Sequence, residues 1–202
     1  MNLQQIETIA VAELGGRASH PYKETGNKLH HGKRTAVLVK TLCAELNYTG
    51  ETDTLTVAAW FHDICNGGDR HEEHEALGAA RTAELIAPFC TPEECDTICA
   101  LIARHDSRSA PDLPLELKIL QDADFLDHFG AFEIWCTFHY ALKEDWSMER
   151  TASEILAERA RKYEKQRNEL HFNYSRNIYE EKHVFVQAFA ERMAREAAGE
   201  LA

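Results

Sequence analysis

The chain has 202 residues, with 34 Asp and Glu against 22 Lys and Arg, for a formal net charge of -12. That length is one ordinary domain or two very small ones, and a hydrophobic share of 44% with only 10 Gly and 5 Pro excludes a disordered or fibrous chain. The excess of acid repels phosphate backbones, which argues against a broad nucleic-acid-binding face while leaving room for a local basic pocket.

In chain order, MNLQQIETIAVAELGG carries two glutamates where a signal peptide would have a basic region. No stretch approaches the roughly 18 uncharged apolar residues of a membrane span. A cytoplasmic protein without membrane contact is expected. In HGKRTAVLVKTLCAELN the apolar Val37, Leu38, Leu42 and Leu46 recur at helical steps, giving a helix from about His31 to Leu46. After a turn at 47–51, a Thr52/Asp53 cap signal opens TLTVAAWFHDI, apolar almost all round and so a central helix, ending with His62 and Asp63. The paired glycines of CNGGDRHEE break it.

A further helix is expected over HEALGAARTAELIA, closed by Pro88. Thr91-Pro92-Glu93-Glu94 then combines an N-cap Thr, Pro at the first helical position and Glu at the third, a capping box opening TPEECDTICALIARH. DSRSAPDLP reads as a loop, and LELKILQDADFLDHFGAFEIWCTFHYAL as one long or kinked helix with Gly130 near its middle. Two charged amphipathic helices, near Ser147 to Gln166 and Tyr174 to Ala198, finish the chain. With no repeat, linker or hairpin signal, the expectation is an all-α, single-domain helical bundle over residues 1–202.

The six cysteines show no CxxC spacing and a chain of this length needs no disulfide staples, so they read as reduced thiols packed as small hydrophobes. Cys95 and Cys99, four apart, would share a helix face, but core packing is the stronger reading.

Chemistry concentrates at His62-Asp63, an imidazole and a carboxylate at the end of an apolar helix. Alone the dipeptide also fits a hydrogen-bonded structural pair. An unpartnered buried carboxylate costs several kcal/mol or neutralises, and a metal cation removes that cost. Mixed imidazole and carboxylate suit Mn²⁺, Fe²⁺, Co²⁺, Ni²⁺ or Zn²⁺ better than Ca²⁺. Further ligands must come from other helices, and His31, His105 and Asp124 are the candidates. Asp124 stands between Asp122 and Asp127, which read as surface acids.

The order His31-x-x-Arg34, Trp60-Phe61-His62-Asp63, His105 and Ala123-Asp124-x-Leu126 resembles the HD superfamily of metal-dependent phosphohydrolases, with its H…HD…D ligand series. The resemblance covers about 29–130, and ILQDADFLDHFGA looks most like the small bacterial members. The C-terminal helices over 147–198 would pack on that core. The His-x-x-Arg spacing selects His31 over its neighbour His30. The resemblance implies that His31, His62, Asp63 and Asp124 hold one divalent ion, and that His74 and His105 would serve a second where two are bound. A guanosine tetraphosphate hydrolase is not implied, because the acidic pair of that class is replaced by Ile64-Cys65-Asn66-Gly67-Gly68.

The implied reaction is hydrolysis of a phosphate ester or anhydride of a small metabolite, with a nucleotide as the expected substrate, by a water that the metal activates. Asp63 would orient or deprotonate that water. Lys33 and Arg34 would act in catalysis, and Arg70, Arg104 and Arg108 are candidates to bind phosphate. Two other readings stay open: a di-iron oxygenase if His74 and His105 both bind metal, and a non-catalytic module that keeps a metal for stability. A homo-oligomer is compatible with either.

Overall fold

The computed structural model describes residues 1–18, 24–66, 73–108 and 112–200. Among them are nine α-helices and no strand: α1 (Leu3–Leu14), α2 (Asn27–Glu45), α3 (Thr52–Phe61), α4 (His74–Ile86), α5 (Pro92–Ile102), α6 (Leu115–Asp127), α7 (Ala131–Lys143), α8 (Met148–Asn168) and α9 (Asn173–Ala197). The fold is all-α. No helix among the described residues is long and apolar enough to cross a membrane.

The chain divides into two compact units, Met1–Asp124 and Phe125–Ala202. In the first, α3 is central: α2, α5 and α1 all pack on it, and α4 packs on α5. Every residue from Thr54 to Phe61 is buried, as its nearly uniform apolar sequence requires. Full burial of one such large side chain contributes about 1.5–3 kcal/mol. The α2–α3 crossing is close because Gly32 has no side chain. A Cβ there would lie 2.8 Å from the Trp60 carbonyl oxygen and 2.9 Å from that of Ala59.

Several boundaries differ from the sequence reading for identifiable reasons. α1 opens at an N-cap, Asn2, whose Oδ1 accepts from Gln5 N–H at 3.2 Å, and Ile6, Ala10 and Leu14 form its buried stripe. α2 begins four residues before His31, after Gly26 in the left-handed region at φ 73°. A Cβ at Gly26 would meet the Gly15 carbonyl oxygen at 2.7 Å, so the turn needs glycine twice over. α3 has Glu51 at its N-cap with no side-chain cap, so Thr52 and Asp53 sit in the first turn instead of capping it. The capping box of α5 is formed in both directions, Glu94 N–H donating to Thr91 Oγ1 (3.3 Å) and Thr91 N–H to Glu94 Oε2 (2.8 Å). Pro88 lies in a short 3₁₀ turn, Ala87–Phe89, directly after α4. The expected break at Gly67 and Gly68 and the phosphate candidate Arg70 lie outside the described residues.

The largest correction concerns Gly130. The expected single helix is two, α6 and α7, because Gly130 takes φ 81° and ψ -136°, a conformation outside the helical well that L side chains avoid. In the second unit α8 and α9 pair, α7 packs on both, and Ile134, Ile155, Val186 and Ala190 form the core with Phe138, Leu156 and Phe189 against it. Arg159 is buried there in an ion pair with Glu133, its guanidinium 5.4 Å from the centroid of Phe129. All six cysteines are free thiols. Burial, followed by the neighbouring Cys95, pushes Cys90 up to about 11 and Cys99 up to about 12.

Candidate metal centre

α3 and α5 end in the same way. Beyond Phe61 the chain turns, and the His62 ring Nδ1 lies 2.9 Å from the Ala59 carbonyl oxygen. Beyond Ile102 it turns again, and His105 Nδ1 lies 2.7 Å from the Ile102 oxygen. A carbonyl can only accept, so each Nδ1 carries the proton and each Nε2 presents its remaining valence to the interior. This is the arrangement in which imidazoles are held when the other nitrogen binds a metal.

His31, on the second turn of α2, meets His62 there with 3.0 Å between their Nε2 atoms. Asp124 Oδ1 from α6 stands 3.1 Å from His31 Nε2 and 3.4 Å from His62 Nε2. Asp63 Oδ2 is 3.9 Å from His31 Nε2. These four side chains come from three separate stretches of the chain, His62 and Asp63 being neighbours, and are all buried, whereas His30 is exposed. Potential ligand atoms of His31, His62 and Asp63 lie within 4.8 Å of one another, and so do those of Asp63, His74 and His105. Asp63 belongs to both groups. Its Oδ1 is 3.8 Å from His105 Nε2 and accepts from Asn66 Nδ2 at 2.8 Å, and its Oδ2 accepts from Lys28 Nζ at 2.5 Å. His74 Nε2 is 3.2 Å from Asp106 Oδ2.

Electrostatics bind this cluster together. Burial pushes the His62 imidazole toward neutrality, yet the Asp124 and Asp63 carboxylates more than offset it and raise its affinity for a proton. Burial also opposes ionisation of Asp63, but His62, Lys28 and His31 hold its carboxyl far below the usual carboxylate range. His105 is shifted down, first by burial and then by the charge of His62. The cluster is therefore a buried anionic pocket faced by imidazole nitrogens, and positive charge between them is what it demands. A divalent transition ion fits this donor set: the imidazoles are pre-oriented, and the carboxylates supply the compensating charge.

Sequence reasoning named the six residues that the structure brings together here, His31, His62, Asp63, His74, His105 and Asp124. Lys33 is elsewhere: its ammonium pairs at 3.0 Å with Glu7 of α1, and both side chains are over 40% exposed. Arg34 is half-buried on α2. Arg104 is exposed and lines a cavity of about 520 Å³ with Thr97, Leu101 and Glu93. Arg108 donates through Nη2 to the Gln121 carbonyl oxygen at 2.6 Å. Asp122 and Asp127, expected at the surface, are buried, because α6 is covered on most sides. Lys28, Asn66 and Asp106 were missed. Asp106 had a signal, since His105-Asp106 is a second adjacent imidazole and carboxylate, whereas nothing local marks Lys28, which meets Asp63 across 35 residues.

Residues 29–128 match the HD domain family model. The chain belongs to the HD-domain family. It is similar in fold to an HD-superfamily hydrolase from Bacillus thuringiensis, at 22% identity and a TM-score of 0.71, over 96% of this chain and 95% of that one. It is also similar to Bacillus subtilis YpgQ solved in complex with ADP, at 19% identity and a TM-score of 0.65, over 98% of this chain and 100% of that one. A third similar structure, a predicted HD superfamily hydrolase from an uncultured Thermotogales bacterium, has 20% identity and a TM-score of 0.64, over 96% and 92% of the two chains. No curated protein matches the sequence.

Proposed function

We propose that the chain is a divalent-metal-dependent phosphohydrolase that cleaves a phosphate ester or anhydride of a small metabolite, a nucleotide in the first instance. The observation that carries this reading is the convergence of His31, His62, Asp63 and Asp124, buried and with Nε2 and carboxylate oxygens facing one another at 3.0–3.9 Å. These four residues hold the ion, with Mn, Fe, Co, Ni and Zn as the candidates. When bound, such an ion supplies Lewis acidity, acidifying a water and polarising a phosphoryl oxygen.

The remaining roles belong to the chain. Asp63 orients the attacking water or accepts its proton. Its Oδ1 is steadied by Asn66, so the carboxylate is oriented before substrate arrives. Arg34 and Arg108 are the half-buried arginines that serve phosphate charge. Lys33, engaged with Glu7, contributes at most to the approach of anions. A nucleotide substrate is supported by the ADP bound to the similar YpgQ fold, and the acid-rich composition fits a cytoplasmic enzyme acting on small metabolites rather than on a polymer.

The Asp63, His74 and His105 group favours one second reading, in which two irons are held and the reaction is an oxygenation. Purification without chelators, elemental analysis, and a screen of nucleoside mono-, di- and triphosphates with Mn²⁺, Co²⁺, Ni²⁺ and Mg²⁺ separate the two. One or two ions with turnover of a phosphate ester supports the hydrolase. Two irons with no ester cleaved supports the oxygenase, and bound metal with no turnover of either kind leaves a binding module.

A further inference from the structure

Lys28 stands one helical turn before His31, at the i,i+3 spacing that places two side chains on one side of a helix. Its ammonium donates to Asp63 Oδ2 at 2.5 Å, and the side chains of the two partners are only 14% and 11% exposed. A lysine withdrawn from water this far must be partnered. Beside it, Asn27 is 1% exposed, and its Nδ2 has no hydrogen-bond partner among the described residues. Asn27 lies at i,i+4 from His31, on the same stripe of α2. The first turn of α2 thus brings an ammonium and an unused amide donor to the side of the helix that carries His31, and none of the sequence signals pointed there.

We propose that Lys28, assisted by Asn27, is the residue that grips the phosphoryl group of the substrate beside the metal. The proposal rests on the hydrolase reading for its substrate but not for its geometry. Charge decides the matter. Asp63 and Asp124 contribute two negative charges and neutral His31 and His62 none, so a divalent ion among them leaves the pocket neutral without Lys28 and cationic with it. Once the ion draws on the Asp63 carboxylate, the ammonium has surplus donor capacity. Of its three N–H groups one is used by Asp63, leaving two for phosphoryl oxygens. An oxyanion is the ligand that satisfies both the ion and the lysine, and an uncharged substrate would leave the ammonium undersatisfied.

The test uses the full chain loaded with Mn²⁺, as wild type, Lys28→Met and Lys28→Arg. Binding of inorganic phosphate is measured by calorimetry, metal content by elemental analysis, and kcat and KM on any nucleotide found to be cleaved. Lys28→Met is expected to keep its metal and to lose phosphate affinity by about tenfold or more, with KM rising by a similar factor and kcat changing less, while Lys28→Arg recovers part of the loss. Unchanged phosphate affinity in Lys28→Met overturns the proposal. So does loss of metal from both variants, which would make the lysine a support for Asp63. If wild type cleaves no phosphate ester, the hydrolase reading falls while the phosphate titration still decides the role of Lys28.

Discussion

The Nε2 atoms of His31 and His62 face each other at 3.0 Å inside the protein, with Asp124 Oδ1 within 3.4 Å of both. Since His62 spends its Nδ1 proton on the Ala59 carbonyl oxygen, the pair can share at most one further proton or a metal ion. The proton can be the Nε2–H of a neutral His31 or belong to an imidazolium, whereas the metal ion brings two positive charges, and the metal and pH predictions below turn on which occupant is present.

Asp63 and Asp122 are both buried acids, but they should fail differently on truncation. Asp63→Ala should lose its metal and all hydrolysis. Asp122→Ala should retain metal and melt at lower temperature, since deleting one partner of a buried polar contact costs about 1–3 kcal/mol. Elemental analysis beside thermal melts distinguishes the two, and loss of metal from both variants would count against the ligand assignment.

The raised proton affinity of His62 sets a pH dependence. In the metal-free protein the imidazolium stabilises the fold. That contribution is fully present below the ordinary imidazole value and is lost as pH rises through the raised folded value. Metal binds the neutral ring, so acid competes with it. The increase in Tm caused by Mn²⁺ should therefore be larger at about pH 8 than at about pH 6. Equal increases at the two pH values would exclude a titrating His62 from the site.

Gly32→Ala should damage the metal centre without touching a ligand. An alanine normally favours a helix by about 1 kcal/mol over glycine. Here its Cβ would sit 2.8–2.9 Å from two backbone oxygens of α3, forcing α2 away and drawing His31 from His62. We expect a destabilisation of about 1–3 kcal/mol, read by denaturant titration, together with weaker metal retention.

In the second unit, Arg159→Met should cost about 3 kcal/mol, because it leaves Glu133 as a charge without its partner in a poorly hydrated position. The double change Arg159→Met, Glu133→Leu should recover most of that loss. A double variant as unstable as the single one would show that the packing of Arg159 against Phe129, not its charge, is what matters.

What could be read from the chain was whatever short-range chemistry encodes. The Thr91-Pro92-Glu93-Glu94 box announced α5 because each of its bonds spans three residues. The uniform apolar run of α3 announced its central place. The start of α2 escaped because Gly26 earns its position from a backbone 11 residues away, a contact without local trace. The helix break at Gly130 escaped because apolar periodicity continues on both sides of it. For the candidate site, the resemblance pointed to six residues that the fold draws near one another, but Lys28 became visible only when the fold closed Asp63 onto it. The burial of Asp122 and Asp127 likewise depends on what covers α6, not on α6 itself.

The anchors for His62 and His105 are main-chain oxygens, those of Ala59 and Ile102. Ring direction at both positions is thus set by the main chain, while the side chains at 59 and 102, both fully buried, answer only to packing. Only a change that reshapes the trace of the chain where α3 and α5 terminate could swivel either imidazole, so the geometry of catalysis would drift far more slowly than the residues around it.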